Sequence, residues 1–323
     1  MVNSREAIRK AAEVLGEAEA VAVTCHVGPD GDALGSALGF ALAARKAGKQ
    51  AWVSFGEPFA ISDKYRFLPL DSLVPPGDLP ADAPVLVAFD TGSLDRLGGL
   101  SEAAKAAGCL IVVDHHVSNQ GFGDIDIIDP QAAASAQLAF YLIQELGWPL
   151  DAEVATCLLV GVVTDTGRFQ YSNARPEVFR VAAALVEAGA RPELIGQNVY
   201  EKMPFGYLKV AAAVLGRSVL EPDRAFVWSV LLASDLEAAD IAVEDSEPLI
   251  DALRVAREAE VAALAKEVGD GQVRVSLRSR GLVDVEMIAT HLGGGGHHNA
   301  AGFTFEGSAA QAIDEVRTRL PGE

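Results

Sequence analysis

Cysteine is scarce: Cys25, Cys109 and Cys157 are the only three in 323 residues. An odd number of thiols in apolar surroundings excludes a disulfide framework and fits reduced, buried side chains of a cytosolic protein. No pair has zinc-site spacing. Cys25 precedes His26, but neighbours along a strand point to opposite faces, so an activated Cys nucleophile is not expected. No apolar stretch approaches the ~18 residues needed to cross a bilayer, and the opening Met-Val-Asn-Ser-Arg-Glu is too polar for a signal peptide. The expectation is a cytoplasmic protein with no membrane partner. Positive charge is also short, with 26 Lys and Arg against 45 Asp and Glu and a net charge of −19. Affinity for long duplex nucleic acid comes largely from neutralising phosphates with Lys and Arg, so that class of partner is excluded.

What the chain does have is acid at the ends of apolar runs. Asp114-His115-His116 follows Cys109–Val113, and His26 with Asp30-Gly31-Asp32 follows Val21–Cys25. Asp90 follows Val85–Phe89, and Asp165 follows Leu158–Thr164. Ligands of open α/β sheets bind beyond the carboxyl ends of strands, so four such ends predict one convergent site. Carboxylates gathered in a poorly solvated pocket cannot all stay ionised without cations, and divalent metals solve that problem. A mixed carboxylate and imidazole set lacking thiolate favours Mn²⁺ or Mg²⁺ over structural zinc. Two bound dications would also let an acidic protein hold a short substrate, because only one to a few phosphates then need gripping.

The length fits two domains, each able to bury its own core. Helical spacing over 5–19 precedes a strand at 21–25, and the small, apolar 33–44 predicts a helix packed closely on the sheet. Strands near 50–55, 85–89 and 110–113 alternate with helical segments, the βαβ pattern of a parallel sheet, and helices follow near 131–147 and 151–163. The stretch 191–210 is helical in character but interrupted by Pro192 and Pro204. Beyond it the pattern changes to hairpin-like pairs, 218–220 with 225–231 and 259–268 with 272–279 across Gly269-Asp270-Gly271. Propensity alone makes the Ala-rich 251–267 helical. Gly293–Gly296 lacks the Lys-Ser/Thr of a Walker loop; it reads either as a flexible loop or as backbone free to approach an anion closely. Arg278, on a strand, reads either as a surface ion pair or as a planar fork for phosphate or base.

These residues resemble the DHH phosphoesterase superfamily, whose motifs stand here as His26-x-x-Pro29-Asp30-x-Asp32, Asp90, Asp114-His115-His116 and Asp165. Ser276-Leu277-Arg278-Ser279 with Gly293–Gly296, His297, Asn299 and Gly302 is similar to the signature of the DHHA1 substrate-binding domain. The resemblance covers nearly the whole chain and points to the small two-domain oligoribonuclease (nanoRNase) and 3′-phosphoadenosine-5′-phosphate phosphatase subgroup. It implies an α/β fold: a parallel-sheet DHH domain over 1–190, a linker over 191–212, and a smaller α/β DHHA1 domain with a mixed sheet over 213–323, closing over a cleft. It also favours a strand at 259–268.

By position, the resemblance implies one metal on His26, Asp30 and Asp90 and a second on Asp32, Asp90, His115 and Asp165. Mn²⁺ is the preferred ion, with Mg²⁺ the alternative. His116 is left to contact the scissile phosphate or protonate the leaving oxygen, with Asp114 orienting a ligand by hydrogen bonding. Arg278, Ser279, Gly294, Gly295, Gly296, His297 and Asn299 are the implied substrate contacts. Arg96 and Arg168 are weaker candidates, and His298 is a solvated neighbour. The implied substrates are very short RNA cut to 5′-mononucleotides, adenosine 3′,5′-bisphosphate (pAp) losing its 3′-phosphate, or a linear dinucleotide such as pApA or pGpG. A homodimer is compatible with this architecture. The rival class is a non-catalytic nucleotide sensor, which usually loses ligands, whereas every expected ligand is present here.

Overall fold

Strand order explains where the acidic residues meet. The structure, a computed structural model, describes residues 2–80, 82–269 and 271–321. The chain divides into two units, Met1–Glu201 and Lys202–Glu323.

The first unit is built on five parallel strands, β1 Ala20–Cys25, β2 Gln50–Phe55, β3 Leu86–Phe89, β4 Leu110–Asp114 and β5 Ile125–Ile128. Their order is β2-β1-β3-β4-β5. The chain runs outward to β2 and then reverses past β1, so a switch point lies between β1 and β3. His26 follows β1, Asp90 follows β3 and Asp114 closes β4. Helices α1 Val2–Glu17, α2 Gly31–Lys46, α3 Ser101–Ala106, α4 Ser135–Leu146, α5 Ala152–Asp165, α6 Pro176–Glu187 and α7 Pro192–Ile195 complete the unit. The main core gathers α1, α2, α4, α5 and α6 on one face of the sheet. A smaller cluster, with Leu86, Ala88 and Val112 from the strands, covers the other face below α3. Phe89 is wholly buried against Phe40 of α2, ring centroids 5.2 Å apart. That burial is worth roughly 1.5–3 kcal/mol and anchors the strand end that carries Asp90.

One expectation needs correction. The apolar run before Asp165 is the last part of α5 and not a strand, so the site is made by three strand ends and one helix end. A helix buried on nearly all sides reads as an uninterrupted apolar run, and periodicity then cannot tell it from a strand. The helix expected over 33–44 does pack on the sheet, Phe40 against Phe89, and it also lies tightly on α5: a Cβ on Gly35 would stand 2.3 Å from the carbonyl oxygen of Cys157.

The second unit has six strands in the order β10-β11-β9-β8-β7-β6. They are β6 Val219–Glu221, β7 Phe226–Leu231, β8 Val261–Gly269, β9 Gln272–Ser279, β10 Gly295–His297 and β11 Ala300–Glu306. Only β7 and β8 pair in parallel, which makes the sheet mixed. Of its helices α8 Phe205–Gly216, α9 Ala233–Ala239, α10 Leu249–Leu253, α11 Val285–His291 and α12 Ala309–Arg319, α8 and α10 cover one face and α11 and α12 the other. The Ala-rich 261–265 is a strand because both its faces are covered, Ala263 and Ala265 in one cluster and Ala262 and Leu264 in the other. Tertiary pairing overrides helix propensity there. Asp270, in the turn expected between β8 and β9, lies outside the described residues. No helix among the described residues is long and apolar enough to cross a membrane.

Candidate metal centre

The Nδ1 of buried His26 lies 2.9 Å from the carbonyl oxygen of Val27. A carbonyl can only accept, so Nδ1 carries the proton and Nε2 is left for the centre. That Nε2 lies 3.6 Å from Asp90 Oδ2 and 3.9 Å from Asp30 Oδ2. Asp30 spends its other oxygen on the α2 N-cap, accepting from the amides of Asp32 and Ala33 at 3.0 Å each. Helix start and candidate ligand are thus one residue using two different oxygens.

The second imidazole, His115, faces three carboxylates through Nε2: Asp165 at 3.1 Å, Asp90 at 3.5 Å and Asp32 at 3.7 Å. Asp90 therefore presents Oδ2 to His26 and Oδ1 to His115. Its backbone is left-handed, with φ of 53°. Asp is among the few residues that tolerate that conformation, and strain of this kind concentrates at functional sites.

His116 is arranged differently. Its Nδ1 lies 2.7 Å from Asp114 Oδ1, which also accepts from the amides of His115 and His116. The second Asp114 oxygen accepts from Asn119 Nδ2 at 2.7 Å. Both oxygens of this fully buried carboxylate are committed to holding the motif.

Electrostatics follow from the crowding. Within ion-pairing distance, Asp32 and Asp90 have only imidazole nitrogens among the described residues. Burial raises the Asp32 carboxyl well above its ordinary range, and Asp90 and Asp165 add to the rise. Burial likewise lifts Asp165 to about 6 against the pull of His115. Burial alone would depress His26, but its contacts with Asp30 and Asp90 carry it up to about 11. Burial opposes the charged form of Asp90 too, and His115 and His26 outweigh it, holding the carboxyl well below its usual range. Protons are retained here because several negative groups share little solvent.

A divalent ion would answer the same need, and the donor atoms fit one. His26, Asp30 and Asp90 offer ligand atoms within 4.8 Å of one another, as do Asp32, Asp90 and His115. All are nitrogen or oxygen donors, the chemistry of Mn²⁺ or Mg²⁺. A third grouping, Asp90, Asp114 and His116, meets the same distance. The hydrogen bonds of Asp114 make it a holder of the motif and leave it poorly placed to give an oxygen to an ion.

Three contributors were not legible as such. Ser135 donates through Oγ to Asp90 Oδ1 at 3.0 Å, and the amides of Ser135 and Ala136 reach the two oxygens of Asp32 at 2.5 and 2.9 Å. The positive end of α4 thus stabilises that carboxylate. Asn119 is the second. The third is Gly161 on α5, where a Cβ would stand 2.4 Å from Asp32 Oδ1 and 2.6 Å from Ala136 Cβ. Gly161→Ala is expected to displace Asp32 from its amides and cost about 1–3 kcal/mol through overpacking. The variant should melt cooperatively at lower temperature and bind metal more weakly in a calorimetric titration. Wild-type affinity would mean that Asp32 does not depend on this space.

Arg96 exposes its side chain, while its carbonyl accepts from the amide of Val27 and so steadies the loop after β1. Arg168, with φ of 61°, packs its guanidinium 4.8 Å from the centre of the Tyr200 ring.

The remaining candidates lie in the second unit, where strand register brings them together. His297 pairs with Ala300, and Ala300 pairs with Arg278. Directly opposed residues share a sheet face, so His297 and Arg278 stand on one face about 10 Å apart, with only an alanine between. Arg278 Nε donates to Asp251 at 3.2 Å, which fixes its direction. The Ser279 hydroxyl donates to Glu260 at 2.9 Å, and Glu260 also accepts from the amides of Leu282 and Val283. Asn299 is buried, and its carbonyl accepts from the amide of Ser279. The Gly-rich segment is not a flexible loop throughout: Gly293 lies in a turn and Gly295–His297 is the edge strand β10. A Cβ on Gly294 would stand 2.1 Å from the carbonyl oxygen of Gly302, so glycine is needed there for β11 to pack. His298 bridges the carbonyl of Gly281 at 3.0 Å and Asp284 at 3.1 Å.

Comparison with known proteins agrees with both units. Residues 20–162 match the DHH family, N-terminal domain, and residues 229–320 match the DHHA1 domain. Over 316 residues the chain is 37% identical to the bifunctional oligoribonuclease and PAP phosphatase NrnA of Thermus thermophilus, covering 96% of this chain and 92% of that protein. The Bacillus subtilis protein of the same description is 26% identical over 86% of each chain. Among solved structures, an exopolyphosphatase-related protein from Bacteroides fragilis superposes with a TM-score of 0.89 at 25% identity, covering 97% of this chain and 95% of that one.

Proposed function

The chain belongs to the DHH family and carries a DHHA1 domain, and from that membership we propose that it is a metal-dependent phosphoesterase acting on very short RNA and on pAp. It would release 5′-mononucleotides from the former and remove the 3′-phosphate of the latter; its NrnA relatives are named bifunctional oligoribonuclease and PAP phosphatase. The observation that carries the reading is Asp90, whose two oxygens face different imidazoles at 3.6 and 3.5 Å. A carboxylate so placed suits two ions at once.

On this reading His26, Asp30 and Asp90 hold one ion and Asp32, Asp90, His115 and Asp165 the other. Mn²⁺ is favoured over Mg²⁺ by the imidazole donors. Bound dications supply Lewis-acid polarisation of the phosphoryl group and a nucleophile at neutral pH. The chain's own residues do the rest. Asp114 fixes His116 through Nδ1, which turns Nε2 outward to bind a phosphoryl oxygen or protonate the leaving group. Ser135 and the start of α4 keep Asp90 and Asp32 in place. Arg278 and His297, with Asn299 and the Gly294–Gly296 backbone, grip the nucleotide, and Ser279 ties the turn beneath them to Glu260.

Turnover of pAp, pApA, short RNA and pyrophosphate with added Mn²⁺ or Mg²⁺ tests the reading. Release of mononucleotide and phosphate, fastest with Mn²⁺, is the expected result. Binding without turnover of any of them would identify a sensor instead. The grip has its own test. Bis-p-nitrophenyl phosphate has little nucleotide character, so its hydrolysis should survive Arg278→Ala and His297→Ala. Dinucleotide cleavage should fall by roughly 10- to 100-fold, or ~1.4–2.7 kcal/mol of transition-state binding. Equal losses on both substrates would put these residues in the reacting centre.

A further inference from the structure

The helix that ends in Asp165 closes in an unusual way. Beyond the cap Thr166, the amide of Gly167 donates to the carbonyl of Thr164 at 3.1 Å and that of Arg168 to the carbonyl of Val163 at 2.8 Å. This pair of bonds is a Schellman motif, which asks for one left-handed residue, here Gly167 with φ of 53°. A Cβ on Gly167 would stand 2.4 Å from Tyr171 Cζ, so the Tyr171 ring locks the turn. The left-handed backbone nonetheless continues through Arg168 and Phe169, with φ of 61° and 63°. That conformation is costly for a residue with a Cβ. Burial accounts for Phe169, which packs on the main core and stacks on Phe179 with ring centroids 5.2 Å apart. It does not account for Arg168, whose side chain is exposed.

What the turn achieves is the direction of one guanidinium. Arg168 lies over the ring of Tyr200, 4.8 Å from its centre, and no carboxylate is within ion-pairing distance of it among the described residues. The acid nearest to it along the chain, Asp165, faces His115 at 3.1 Å. An exposed cation–π contact stabilises a fold only weakly, so it is a poor reason to hold the backbone left-handed. Tyr200 is itself placed by a rare element, the π-helical turn Gly196–Tyr200, a geometry that concentrates at functional sites. It adjoins the metal centre through Tyr65, on the short 3-10 turn Asp63–Tyr65. Burial pushes the Tyr65 hydroxyl well above its ordinary range, and Asp30, Tyr200 and Asp165 add to the rise. Arg168, Tyr200 and Tyr65 thus lead from the turn to Asp30 and Asp165, all inside the first unit.

We propose that Arg168 determines specificity in the phosphoesterase reaction by taking a second phosphate of the substrate, the one the metals do not hold: the 5′-phosphate of pApA or of pAp. The assignment rests on the phosphoesterase reading and names a contact that reading leaves out. A guanidinium lying over a ring keeps its fork of N–H donors at the edge, where a phosphate accepts two of them. The strained backbone then serves to aim that fork. A substrate ending in a 5′-hydroxyl leaves it without its acceptor.

Rates of the full chain with added Mn²⁺ on pApA and on ApA, which differ by one terminal phosphate, test the assignment. Wild type should favour pApA in kcat/KM by about tenfold or more, the scale of a charge-assisted hydrogen bond. Arg168→Gly should abolish that preference, and because glycine suits φ of 61°, the variant should melt no lower than wild type. Arg168→Lys should keep part of the preference, since an ammonium meets phosphate as a point charge. The assignment fails if wild type shows no preference, or if the preference survives Arg168→Gly; survival there with loss in Arg278→Ala would give the phosphate to Arg278 instead. An Arg168→Gly variant that melts lower and loses both substrates equally would make Arg168 a structural residue and overturn the assignment. Failure of wild type to cleave either dinucleotide would sink the phosphoesterase reading itself, and this assignment with it.

Discussion

Asp90→Asn should bring turnover down by roughly 10³-fold or more, the scale of losing several kcal/mol of charge stabilisation by metal. The reason is geometric. Each Asp90 oxygen faces its own imidazole, 3.6 Å from His26 and 3.5 Å from His115, so no second residue can replace a shared carboxylate. Asn is the cleaner substitution because it tolerates the left-handed backbone at φ of 53°. Asp90→Ala should lose the same activity but add roughly 1–2 kcal/mol of backbone strain. Removing one of the crowded carboxylates relieves repulsion at Asp32 and Asp165 while leaving His26 and His115 with one fewer partner. The melting temperature of the metal-free Asn variant should therefore stay within about 4 °C of wild type, a change of roughly 1 kcal/mol in a unit of this size. Added Mn²⁺ should raise the melting temperature of wild type and not of the variant. Elemental analysis decides the matter: a variant that keeps two equivalents of metal and a normal rate refutes the shared role of Asp90.

The residue types of the centre were legible because parallel strands in a doubly covered sheet are short, largely apolar runs, and each ends where a polar residue must begin. Val21–Cys25, Val85–Phe89 and Cys109–Val113 are such runs. β5 was not legible: it is four residues long and alternates, with Asp126 facing outward between Ile125 and Ile127. The helix expected over 151–163 is α5, but it runs two residues further and carries Asp165 at its end, where the wholly buried Leu158–Val163 also reads as the apolar run of a strand. Ser135 escaped for another reason. A serine before an apolar stretch reads as a helix cap, and its actual partners, Asp32 and Asp90, lie 103 and 45 residues away. In the second unit, the glycines of 293–296 advertised a close approach. The approaching group is the neighbouring strand, and only the register shows that His297 and Arg278 share a face.

The two histidines after Asp114 are adjacent in sequence yet should answer differently to substitution. His115 Nε2 points at three carboxylates, the nearest 3.1 Å away. His116 is tied through Nδ1 to an aspartate whose oxygens are otherwise filled by two amides and Asn119. The first arrangement suits an ion and the second suits a group held ready for substrate, a positioned acid that typically contributes about 10²–10⁴ in rate. His116→Ala should accordingly lower kcat by roughly that factor while both metals stay bound. His115→Ala should lose one equivalent of metal, and activity with it. Asp114→Asn should fall between: the metals remain, but His116 loses the charged partner that fixes its orientation, so kcat drops less than in His116→Ala. Metal content and single-turnover rates measured together separate the three. If His116→Ala and His115→Ala shed metal equally, the division of labour between the neighbours is wrong and both are ligands.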